Sequence, residues 1–85
     1  MKNFIYVFYN NLSKRYGNIV CFPSDGFALA RVQPTIPKEE LSEIELCRVG
    51  SIDVNTGIVE SEPPVRIAWK VEVEKLPVVE SVKSE

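Results

Sequence analysis

Phe4-Ile5-Tyr6-Val7-Phe8-Tyr9 is apolar at every position and built from aromatic and β-branched residues. A helix would spread such a run around its whole circumference, whereas a short strand covered on both faces needs this composition. The stretch therefore belongs inside a sheet, and the rest of the chain must supply its neighbours. Asn10-Asn11-Leu12-Ser13-Lys14-Arg15-Tyr16-Gly17-Asn18 is polar and contains a glycine. It separates the first strand from Ile19-Val20-Cys21-Phe22 and predicts a β-hairpin with a long tip.

Pro23 stops the second strand, and Ser24 then offers a hydroxyl cap ahead of Asp25, whose charge suits the positive end of a helix. Phe27-Ala28-Leu29-Ala30-Arg31-Val32 gives about two turns before Pro34 and Pro37 remove backbone donors and end the helix. Pro37-Lys38-Glu39-Glu40-Leu41 suits a second short turn, with proline first and carboxylates next.

The second half reads as strands again. Glu43-Ile44-Glu45-Leu46-Cys47-Arg48-Val49 alternates with period two, with Ile44 and Leu46 on one face and a bulge expected near Gly50. Asp53-Val54-Asn55-Thr56-Gly57 is a turn by its chemistry, and Ile58-Val59-Glu60 returns from it. A hairpin turn is favoured there over a calcium loop, because glycine is fifth instead of sixth and the twelfth position is Pro64. Glu62-Pro63-Pro64 interrupts, and residues 65–73 alternate as a further strand, with Val65, Ile67, Trp69, Val71 and Val73 inward and Arg66, Lys70 and Glu72 outward. The expected fold is α+β: a small antiparallel sheet of about five strands with one short helix on one face. Residues 1–76 form its single domain, and 77–85 are a C-terminal tail.

At 85 residues, with 45% hydrophobic and 26% charged, the chain has the composition of one soluble domain. Folding at this size buries roughly 60% of the unfolded surface, enough for a modest core, and a deep catalytic cleft is not expected. No apolar run approaches the roughly 18 residues of a membrane span, and Met1-Lys2-Asn3-Phe4-Ile5 lacks the pattern of a signal peptide, so a cytoplasmic protein without membrane contact is expected. Cys21 and Cys47 are then read as reduced, buried, small apolar residues.

The inventory excludes chemistry more firmly than it selects it. With no histidine, triads built on imidazole and histidine metal sites are impossible, and two cysteines do not make a zinc site. Glu39, Glu40, Glu43 and Glu45 resemble a cation or acid–base cluster, but a solvated face explains them. Neither enzyme activity nor a cofactor is expected.

The net charge of −2 is unevenly spread. Residues 1–35 carry Lys2, Lys14, Arg15 and Arg31 against Asp25; residues 36–62 carry Lys38 and Arg48 against seven carboxylates; the remainder balances. This balance argues against bulk condensation of nucleic acid and leaves room for a local cationic patch. Lys14, Arg15 and Tyr16 sit together at the hairpin tip, combining charge for phosphates with a ring for stacking bases. Solvation of an exposed tip is the alternative. Arg66 and Lys70 either extend such a strip or keep a strand soluble.

Residues 46–59, Leu46-Cys47-Arg48-Val49-Gly50-Ser51-Ile52-Asp53-Val54-Asn55-Thr56-Gly57-Ile58-Val59, resemble the small nonstructural protein of gokushovirus-type Microviridae, tailless phages with circular single-stranded DNA. In that family an apolar strand of the type L-x-x-I-G-x-F-D runs into a T-G turn and a returning strand. The aromatic strand after Met1-Lys2, the Tyr16-Gly17-Asn18 entry to a second strand, and the helix at residues 25–31 with Ala28 and Arg31 fit the same pattern. Ile52 stands where the family has an aromatic residue, and Pro34 and Pro37 shorten a segment that is typically a longer helix.

The resemblance implies a non-enzymatic phage accessory protein of the host bacterial cytoplasm, binding single-stranded DNA during genome replication or packaging. The residues expected to make that contact are Lys2, Lys14, Arg15, Tyr16, Arg66 and Lys70. The competing expectation is an interaction module that binds capsid, replication or host proteins through the acidic residues 39–45 or the tail. An exposed edge strand would in either case permit a homodimer.

Overall fold

The computed structural model describes residues 1–70. The expected continuation of the last strand through residue 73, the domain limit at 76 and the tail at 77–85 lie outside the described residues. Four strands form one antiparallel sheet: β1 (Lys2–Asn10), β2 (Arg15–Phe22), β3 (Ile44–Asp53) and β4 (Val59–Ile67), in the order β2-β1-β3-β4. One helix, α1 (Asp25–Val32), packs against the sheet, giving an α+β fold. The aromatic stretch around Tyr6 is central, as its composition requires.

The strand count is four, not five. Val59–Ile67 runs as a single strand through Glu62-Pro63-Pro64. Arg48 pairs with Val65 and Gly50 with Ser61, so Val49 alone stands opposite Glu62, Pro63 and Pro64. Proline removes a ladder donor, which breaks a central strand, but β4 lies at the sheet edge and absorbs the two prolines in a bulge. The bulge expected near Gly50 lies against β1: Ile5 pairs with Gly50 and Tyr6 with Arg48, so Val49 is the extra residue of β3.

Cross-strand partners share a face, so the register sorts the side chains. Phe4, Tyr6 and Phe8 of β1 turn towards α1, as do Val20 and Phe22 of β2 and Leu46 of β3. Tyr6 and Leu46 are fully buried there against Ala28 and Leu29. Trp69, expected within a strand, lies beyond the end of β4. It packs on the same core and donates its indole N–H to the Ile44 carbonyl at 2.8 Å. The opposite face carries Ile5, Val7, Tyr9, Ile19, Cys21 and Cys47. Both cysteines are free, Cys47 buried as expected but Cys21 exposed, because β2 is the outer strand and α1 covers the other side.

Local chemistry sets the connections. The Ser24 hydroxyl caps α1 by accepting from the Phe27 amide at 3.1 Å. Pro34 opens a 3-10 turn (Gln33–Thr35), and Pro37 precedes another (Lys38–Glu40). Asp53 closes the β3–β4 turn, its carboxylate accepting from the amides of Asn55 and Thr56, with Gly57 at φ 76°. No helix among the described residues is long and apolar enough to cross a membrane.

Candidate nucleic-acid interface

The tip of the first hairpin is shorter than expected. Asn10 pairs with Arg15, leaving residues 11–14 as the loop, and residues 15–18 belong to β2. The side chain of Asn10 explains the tight closure: its carbonyl oxygen accepts from the amides of Leu12 at 2.8 Å and Ser13 at 3.0 Å. The Lys14 amide donates to the Asn10 backbone carbonyl, and Lys14 adopts a left-handed φ of 61° to bring the chain back.

This closure sets the register that makes the site. Tyr9 stands opposite Tyr16, with ring centroids 4.8 Å apart and planes inclined at 52°. The pairing then shifts, so Gly17 and Asn18 both face Phe8. Beside this bulge lies a cleft of about 340 Å³, whose walls include Phe8, Tyr9, Tyr16, Arg15, Ser13 and Asn18. Tyr16 is 56% exposed. The cleft combines what a nucleobase and its phosphate need: aromatic surface, hydrogen-bonding side chains and a guanidinium. Among the described residues, neither Lys14 nor Arg15 is within ion-pairing distance of a carboxylate.

The other expected contact residues lie elsewhere. Lys2 is at the opposite end of β1, about 27 Å from the tip at strand rise, and its Nζ is 3.4 Å from a Glu60 carboxylate oxygen. Arg66 is on β4, on the sheet face away from α1, 3.8 Å from Glu45. Lys70 lies past β4, where its backbone exchanges two hydrogen bonds with the Gln33 side chain on the helix side. The fold thus gathers Lys14, Arg15 and Tyr16, and leaves Lys2, Arg66 and Lys70 apart from them. Sequence reading missed Tyr9, assigned to a strand interior, and Asn18. The Asn10 turn signal carried the information, since a four-residue loop closing on Asn10 places Tyr9 against Tyr16.

A second polar cluster ties the fold together. Tyr6, wholly buried, donates its hydroxyl to Asp25 at 2.7 Å, and Arg48 donates to Asp25 at 2.7 Å and to Glu62 at 3.2 Å. The guanidinium lies 5.5 Å from the Phe4 ring centre. Burial, and then the hydrogen bond to Asp25, push the Tyr6 hydroxyl above its ordinary pKa of 10.0. The bond to Asp25 raises Arg48 further. These groups satisfy one another, with the Asp25 and Glu62 carboxylates about a third exposed to solvent. Among the described residues, no cluster of acidic and cysteine side chains has the form of a metal site.

The geometry defines a two-layer α+β domain with an aromatic and cationic cleft at one hairpin end. Compared with protein-family models, curated proteins and solved structures, the chain matches none of them.

Proposed function

We propose that this chain is a small non-enzymatic protein that contacts single-stranded DNA through the end of its first hairpin, acting without a cofactor. The observation that carries this reading is the cleft beside the Tyr9–Tyr16 pair, with Arg15 in its wall and Lys14 at the adjoining tip. Tyr16 stacks a base, Lys14 and Arg15 follow the phosphates, and Asn18 and Ser13 offer hydrogen bonds to a base edge. Only an unpaired strand presents a base face to this cleft. The resemblance to small nonstructural proteins of single-stranded DNA phages supports DNA as the strand, and with it the cytoplasm of an infected bacterium as the place of action.

The contact involves few phosphates, in keeping with an acidic chain. With two cations engaged, the logarithm of the binding constant should fall against the logarithm of salt with a slope of about −1.4. Fluorescence anisotropy with a labelled oligothymidine tests this. Tyr16→Ala should weaken binding by about 5- to 100-fold, and Lys14→Glu with Arg15→Glu should abolish it at moderate salt. Lys2→Glu, at the far end of the sheet, should change little. Absence of binding at low salt would overturn the function; binding that survives the paired charge reversal would overturn the site.

A further inference from the structure

The two edges of the sheet are unequal. On β4, Pro63 and Pro64 remove backbone donors, a bulge distorts the strand, and Glu60, Glu62 and Arg66 line it with charge. These are the devices that keep an edge from pairing with another chain. On β2, residues 19–22 read Ile-Val-Cys-Phe, with no charge and no proline, in regular register with β1. Alternate residues of that run turn their N–H and C=O groups away from β1, and β2 ends the strand order.

Apolar side chains flank the same edge on both layers. Ile19, 67% exposed, and the exposed Cys21 lie on the face away from α1. On the helix side, Phe27 is partly exposed, with its ring 5.8 Å from Phe22 of β2.

We infer that the β2 edge pairs with the β2 edge of a second copy, joining two four-stranded sheets across a two-fold axis near Val20. Two features select a copy of this chain as occupant. The partner strand must be uncharged and extended, and residues 19–22 are themselves such a strand. An antiparallel edge is self-complementary under a two-fold, so the same donors and acceptors serve both copies. A pairing centred on Val20 sets Ile19 opposite Cys21 of the second copy and brings the two Cys21 side chains within reach of a short linker. The contact involves a few residues per copy, so the dimer is weak and depends on concentration.

Sedimentation equilibrium of the full chain tests this between about 10 and 200 µM, the range in which a small interface equilibrates. The mass should rise with concentration from 9.6 kDa towards twice that value. A short bismaleimide should join the copies through Cys21, and this reading needs no substitution. Ile19→Lys, at an exposed position, should weaken association at least tenfold with an unchanged circular dichroism spectrum. Val59→Lys, comparably exposed on β4, should leave it unaltered. A chain that stays monomeric throughout, or a dimer that does not crosslink at Cys21 and responds to Val59→Lys instead, would overturn the inference.

Discussion

The hydroxyl of Tyr6 in the middle of β1 donates to Asp25 in the first turn of α1 at 2.7 Å, joining the sheet to the start of its helix. Arg48 binds the other oxygen of the same carboxylate and reaches Glu62 on β4. One acidic side chain in the first turn thus orients the helix over three strands, while also meeting the positive end of the helix dipole.

Tyr6→Phe should destabilise the protein by about 1–2 kcal/mol, since Asp25 loses a partner but keeps Arg48. The pH dependence has a definite sign. The folded chain holds the Tyr6 proton above the ordinary pKa of 10.0, while the unfolded chain releases it there. The stabilisation is complete below about pH 10 and is lost as pH rises towards the folded value. Cys47, raised by burial, acts in the same direction from near its ordinary 9.0. Urea denaturation from pH 8 to 11 should show falling stability, with a shallower fall in Tyr6→Phe.

Gly50 sits beside the bulge of β4, and a Cβ there would overlap the Glu60 carbonyl oxygen and lie 3.2 Å from Ser61 Cα. Both obstacles are backbone and do not swing aside. Gly50→Ala should cost about 1–3 kcal/mol. The same change at Gly26, with open space around it, should be tolerated, as thermal denaturation of the two variants would reveal.

Lys14 pays for its left-handed φ of 61° with a Cβ that glycine lacks. Lys14→Gly should raise stability by about 1 kcal/mol while removing a cation from the proposed interface. Opposite movements of melting temperature and oligonucleotide affinity would separate the two roles of this residue. A fall in both would show that the side chain supports the turn.

Leu46→Ala empties a fully buried position beside Tyr6 and Leu29 and should cost about 2–5 kcal/mol in chemical denaturation.

Local chemistry was enough for several elements. The Ser24 cap, the Asp53 turn with Gly57 and the interior place of β1 depend on residues close in sequence, so composition and spacing reveal them. Pro63 and Pro64 show where such reading stops. Whether two prolines end a strand or ride within it depends on whether that strand has a neighbour on both sides, and pairing is not local.

The site divides in the same way. Lys14, Arg15 and Tyr16 are neighbours in the chain, and the sequence alone places them together at a hairpin. That Lys2 meets Glu60, Arg66 meets Glu45 and Arg48 turns inward to Asp25 was decided only by the tertiary structure, because those partners lie 58, 21 and 23 residues away. Alternation assigns a side chain to a face of a strand. It does not say which strand lies alongside, and that neighbour determines whether a cation faces solvent or a carboxylate.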